Sequence, residues 1–209
     1  MSKHGRIVLT IGDSNGAAAD GWPVWLRQLI AADVFINNAQ GGRTLGFDNP
    51  DVQHNGLANI DHYIDEATAQ AGKGVDDVVV LLGTNDCKAC FDKRLGEVEA
   101  NLRMMVEKIR KHDNAGKWSP RVVIVTPLPY GRDERLLEKY HGAEARARRL
   151  ASVYRLVAKD LHCKLVDAHG LLEHVWERVS PDGVHMNEEG QKMLAKAIFH
   201  VMSGGDKPL

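Results

Sequence analysis

Ile7-Val8-Leu9-Thr10-Ile11, followed at once by Gly12-Asp13-Ser14-Asn15-Gly16, decides how this chain is read. A short apolar, β-branched run is a buried strand, and glycines around a polar segment mark the turn where it ends. A serine held between glycines at the end of such a strand is how several hydrolase folds present a nucleophile, because glycine tolerates the tight, strained turn that pushes Oγ into the open. The same five residues also suit an ordinary strand-to-helix turn in which Asp13, Ser14 or Asn15 supplies a capping oxygen. Taken alone, the segment leaves both readings open. The decision rests on whether the rest of the chain brings a base, an orienting acid and oxyanion donors to the same place.

Outward from this strand, apolar runs alternate with helical patterns along the whole length, which predicts a parallel sheet covered by helices on both faces, a three-layer α/β/α sandwich. Strands are expected at about 6–11, 34–37, 77–82, 121–126 and 164–167, and helices near 22–32, 59–71, 95–112, 143–161 and 188–202. Right-handed crossovers fit five strands to the flavodoxin-like order 2-1-3-4-5, whose ligands bind outside the carboxyl ends of the strands. Two long connections, 39–58 and 127–142, are expected at that edge and so are candidates to line a site.

The chain has 209 residues, 44% of them hydrophobic and 26% charged, which suits a single domain over 1–209. Its net charge of -1 offers no basic face, so nucleic acid is not an expected partner. Arg146, Arg148 and Arg149 read as the solvated side of a helix. No apolar stretch approaches the roughly 20 residues that span a bilayer, and no signal-peptide region precedes the first strand; membrane insertion is not expected, and the chain as given reads as cytoplasmic or as the trimmed part of a longer, secreted precursor. The three cysteines, Cys87, Cys90 and Cys163, do not make a disulfide framework. Oligomeric state is left open.

Four segments are expected at the carboxyl edge with chemistry on them: Ser14; Asn38-Ala39-Gln40-Gly41-Gly42-Arg43-Thr44; Gly83-Thr84-Asn85-Asp86; and Ser180-Pro181-Asp182-Gly183-Val184-His185. A serine hydroxyl needs a neighbouring base, for which His185 is the candidate. Asp182, on the same turn, can fix the imidazole tautomer and stabilise its cation. The oxyanion of a tetrahedral intermediate needs N–H donors, for which Gly42, the Asn85 side chain and the Ser14 N–H are candidates, each worth about 2.7 to 4 kcal/mol. Separately, Asp-x-x-His reads as a capped turn, Gly41-Gly42 as a loop and Gly83-Thr84-Asn85-Asp86 as a helix cap. Together and in this order they point to acyl transfer.

These four blocks resemble those of the SGNH (GDSL-like) hydrolases, and the similarity extends from about residue 7 to residue 202. The resemblance implies a three-layer serine esterase with Ser14, Asp182 and His185 as its triad and Gly42 and Asn85 as oxyanion donors, working without a metal or other cofactor. Asn15 stands where the family signature often has leucine, at a tolerant position. Gly12 to Gly16 also matches the Gly-x-Ser-x-Gly elbow of the α/β-hydrolases. There, however, the nucleophile follows several strands and its acid and histidine come from separate loops, unlike here.

Other readings have weaker support. Cys87-x-x-Cys90 lacks the second cysteine pair of a metal site, and Cys87 is expected in a pocket wall. Asp13 with Asp86 suggests a phosphoacceptor site, but Asp167-Ala168-His169 stands where its lysine is expected. A carbohydrate-binding module has no use for a paired acid and base. Trp22 and Trp25 read as core, and of Trp118 and Trp176 the latter is placed near the pocket. Asp13, Arg43, Asp86, Cys87, Tyr130, Arg132 and Trp176 are the expected substrate-lining residues, with Asp48 and Asn49 as further polar loop candidates. Four phenylalanines and no apolar lid suit a short acyl group, acetyl above all, on a carbohydrate or similar polar alcohol. Thioester and lysophospholipid hydrolysis use the same triad and stay open.

Overall fold

The computed structural model describes residues 5–113 and 119–205; Trp118 lies outside them. Five parallel strands form one sheet in the order β2-β1-β3-β4-β5. They are β1 (Ile7–Gly12), β2 (Val34–Ala39), β3 (Asp77–Leu81), β4 (Arg121–Val125) and β5 (Lys164–Val166). The helices, in chain order, are α1 (Ser14–Ala17), α2 (Trp22–Leu29), α3 (Gly56–Ala71), α4 (Val98–Lys111), α5 (Ala143–Asp160), α6 (Ala168–Leu172), α7 (Trp176–Val179) and α8 (Glu188–Met202).

Side-chain alternation divides the core in two, as a sheet buried on both faces requires. Ile7, Leu9, Ile11, Val78, Val80, Val122 and Ile124 pack with the apolar stripes of α3, α4 and α5. Val8, Val79, Leu81, Val123 and Val125 turn the other way, onto α2, α6, α7 and α8. Gly12 is level with Ala39 on one side and Leu81 on the other, so the first three strands end on one line. At the opposite edge, buried Asp77 accepts from Arg6 Nε and Arg121 Nε, each at 2.8 Å, and pins β1, β3 and β4 together away from that line.

Element ends differ from expectation where local bonding intervenes. The helix expected to run to Ala32 stops at Leu29, because Asp33 N–H already donates to Arg6 C=O at 2.9 Å and draws the chain into the sheet. The helix expected from Asn59 begins at Gly56, since Asn55 Oδ1 accepts from Ala58 N–H at 3.1 Å and caps it there. The helix expected from Leu95 is preceded by a 3₁₀ segment, Ala89–Glu97, and becomes α-helical at Val98. α6 and α7 are too short to show a period in the sequence. Among the described residues no helix is long and apolar enough to cross a membrane.

Candidate active site

Ser14 opens α1, directly beyond β1. Asp13 caps that helix, its Oδ1 accepting from Asn15 N–H at 2.9 Å. The turn is not strained in the way an elbow would be: among the described residues only His162 is a non-glycine with positive φ, and neither Gly12 nor Gly16 needs it. Gly16 is required by closeness instead, as a Cβ there would sit 2.9 Å from that of Ala39 at the end of β2. Burial raises the Asp13 carboxyl above its ordinary value despite the bond from Asn15.

The candidate base, His185, lies on the turn between α7 and α8. Asp182 Oδ1 accepts from the backbone N–H of Val184 at 2.8 Å and of His185 at 2.7 Å, which folds the turn around the carboxylate. Its Oδ2 lies 2.6 Å from His185 Nδ1, and His185 Nε2 lies 3.0 Å from Ser14 Oγ. With Nδ1–H donating to a carboxylate, Nε2 is left to accept the serine proton. Burial works to raise the Asp182 carboxyl, but the bonds from the His185 ring and the two N–H groups outweigh it and hold the group below its ordinary value. Both side chains face solvent, His185 at 48% and Asp182 at 55% exposure. Behind them, Ser180 Oγ donates to His185 C=O at 3.0 Å, and Gly183 C=O accepts from Trp176 Nε1 at 3.2 Å and Gly131 N–H at 2.8 Å.

The oxyanion candidates come from the next two carboxyl-edge loops. Gln40 N–H donates to Gly12 C=O at 3.1 Å, tying the loop after β2 to the end of β1. Gly42 follows with φ +79°, a left-handed value that a side chain would strain. Asn85 Nδ2 donates to Arg43 C=O at 3.1 Å, which anchors the amide beside this loop and leaves its second proton spare. The backbone N–H groups of Ser14 and Gly42 donate to nothing among the described residues. Unpaired N–H groups at the carboxyl edge are the kind of donor that a developing oxyanion needs.

Most of the expected substrate-lining residues turn inward. Arg43 is buried: Nη1 donates to Asn38 C=O and to Gly12 C=O at 3.4 Å, Nη2 to Gln40 Oε1 at 3.0 Å, and the guanidinium lies 4.4 Å from the Tyr63 ring centre. Asp86 is fully buried and accepts from Leu45 N–H at 2.8 Å and Gly46 N–H at 3.4 Å; burial pushes its carboxyl up to about 7. Cys87 lies in the apolar core rather than in a pocket wall, its thiol pushed well above its ordinary value by burial, and Cys90 is exposed and free. Tyr130 is buried with its hydroxyl donating to Thr84 C=O at 2.6 Å, and Trp176 props the base turn rather than facing a sugar. Asp13, already described, is buried under α1. Arg132 is exposed, next to the Gly131 that touches Gly183.

Elsewhere, Asn49 Nδ2 donates to Gly42 C=O at 2.6 Å, and Asp48 is exposed and bonded to Asn55. Trp22 is fully buried as expected, whereas Trp25 is only partly so. Arg148 and Arg149 are solvated, but Arg146 is not, and its Nε donates to Cys87 C=O at 2.8 Å. Sequence reasoning missed Ser180, whose hydroxyl supports His185, and undervalued Asn15, which is buried. No local pattern marks Asn15, because its partners Val184 and Met186 lie 169 and 171 positions away.

Residues 9–193 match the model of the GDSL-like Lipase/Acylhydrolase family. An acetylxylan esterase of Xylanibacter ruminicola is 27% identical over 137 residues, 59% of this chain; the match spans about a quarter of that relative's length, 28%. A carbohydrate acetylesterase family member from Sinorhizobium meliloti superposes with a TM-score of 0.80 at 24% identity, covering 94% of this chain and 97% of the other. The aryl esterase of M. smegmatis superposes with a TM-score of 0.78 at 23% identity, covering 95% and 98%. These two likenesses show the fold, a five-stranded SGNH sheet with flanking helices. The family match covers all four carboxyl-edge segments, and the chain belongs to the GDSL-like lipase/acylhydrolase family.

Proposed function

We propose that the chain removes short acyl groups, acetyl above all, from a carbohydrate or similar polar alcohol, using Ser14, His185 and Asp182. Ser14 Oγ attacks the ester carbonyl carbon as its proton passes to His185 Nε2. The carbonyl oxygen becomes an oxyanion and takes hydrogen bonds from Ser14 N–H, Gly42 N–H and Asn85 Nδ2. Collapse breaks the bond to the alcohol, which leaves with the proton from His185. Water then attacks the acyl-serine while His185 takes its proton, and the second collapse frees the acid and restores Ser14.

The single observation that carries this reading is the unbroken line of 3.0 Å and 2.6 Å contacts from Ser14 Oγ through the imidazole to the Asp182 carboxylate. The acetyl and carbohydrate parts draw on the names of the acetylxylan esterase and carbohydrate acetylesterase relatives and on the scarcity of phenylalanine. One experiment tests both levels: turnover of 4-nitrophenyl acetate, butyrate and octanoate, and of acetylated xylo-oligosaccharides, by the wild type and by Ser14→Ala. Acetate is expected to be the fastest nitrophenyl ester, acetate is expected to be released from the oligosaccharide, and Ser14→Ala is expected to be inactive but folded. Retained turnover by Ser14→Ala sinks the mechanism; a preference for octanoate sinks the acyl assignment alone.

A further inference from the structure

Beside Ser14 stands an amide that grips the base turn on both sides of the base. Asn15 is 1% exposed, and its Oδ1 accepts from Met186 N–H at 2.9 Å while its Nδ2 donates to Val184 C=O at 3.3 Å. The residue between those two partners is His185. We infer that Asn15 is a positioning residue that sets the distance and angle between the nucleophile and its base.

The other bonds to this turn come from different places. Ser180, Trp176 and Asp182 lie on the base's own stretch of chain, and Gly131 on the loop after β4. They shape the turn without referring it to Ser14. Gln191 on α8 makes a more remote link, its Oε1 accepting from Trp22 N–H at 2.8 Å and its Nε2 donating to Met186 C=O at 3.5 Å. Asn15 alone among these is the chain neighbour of Ser14, and its own N–H is fixed by Asp13. The pairing also selects the residue type. One partner is an N–H and the other a C=O, so the side chain must carry an acceptor and a donor on one carbon; aspartate lacks the donor and leucine lacks both. Displacing a reacting group by about 1 Å costs on the order of 10²-fold in rate.

The inference rests on the proposed pairing of Ser14 with His185, and its test separates the two. kcat and KM for 4-nitrophenyl acetate are measured for Asn15→Ala and Asn15→Asp in the wild-type and His185→Ala backgrounds, with Ser14→Ala alongside. The low-field proton NMR signal of the His185–Asp182 bond is followed in the single variants. Asn15→Ala is expected to lower kcat by about 10- to 100-fold with KM within about twofold, and to lose or broaden the low-field signal. In the His185→Ala background the substitution is expected to cost nothing, because Asn15 acts through the base. Asn15→Asp keeps the shape and the acceptor for Met186 N–H and, once ionised, replaces the donor to Val184 C=O by a negative charge; assayed at a pH where it is ionised, it decides the matter if the alanine variant does not fold, and its kcat too is expected to fall. A wild-type kcat, or an equal loss with and without His185, overturns the inference. Turnover by Ser14→Ala would instead remove the pairing itself, and the inference with it.

Discussion

Asn85 Nδ2 donates to the Arg43 carbonyl at 3.1 Å, so the loop after β3 holds the loop after β2 by the same amide nitrogen that has a proton to spare for substrate. Asn85→Ala removes both the tie and the donor. It is expected to lower kcat on 4-nitrophenyl acetate by about 10²- to 10³-fold, the usual cost of one oxyanion donor, with a smaller change in KM. Steady-state kinetics check this; a kcat within threefold of wild type would show that the oxyanion is held elsewhere.

Asp182→Asn keeps an oxygen for the N–H groups of Val184 and His185, so the turn is retained while the charge beside the imidazole is lost. The imidazolium formed during each half-reaction then has no counter-ion. kcat is expected to drop by about 10²- to 10⁴-fold with little change in thermal stability. Parallel kinetics and calorimetry distinguish this from a folding defect, in which both would fall.

Asp86 imposes a pH dependence on stability. Its carboxyl ordinarily titrates at 3.8 and does so at about 7 in the folded chain. Between those values the folded state binds the proton and the unfolded state does not, so this group makes stability fall as pH rises from about 4 to 7. Asp86→Asn cannot ionise and still accepts from Leu45 N–H. Relative to wild type, its melting temperature is expected to gain steadily across that window and to be higher at pH 8. Thermal melts from pH 4 to 8 give the difference curve, and a flat one would place the Asp86 titration at its ordinary pH.

The sheet was legible because β1, β3 and β4 are apolar on both faces, and such short β-branched runs have few other uses in a globular domain. The place of Ser14 was legible because it follows the end of β1, and that of Asp182 and His185 because they share one turn before the last long helix. Side-chain direction was not. Asp86 and Arg43 look like site residues by their place in the chain, yet both turn into the protein, towards Leu45 and Gly46 or towards Gly12 and Asn38. The partners of Asp86 lie 41 and 40 positions away, so no local pattern betrays it. Asn15 was underread for the same reason, its two partners being 169 and 171 positions distant.

Ser14 and His185 are themselves 171 positions apart, whereas the acid and the base belong to one turn. Local bonding can therefore preform the Asp182–His185 unit, but it meets the serine only through a closure that spans most of the chain, one that it shares with the bonds of Asn15 to Val184 and Met186. An intermediate with an intact sheet and a detached final helix would keep most of its secondary structure and hydrolyse nothing. Turnover by the proposed triad would thus gauge completed folding, sensitive to long-range closures that spectroscopy of the sheet would overlook.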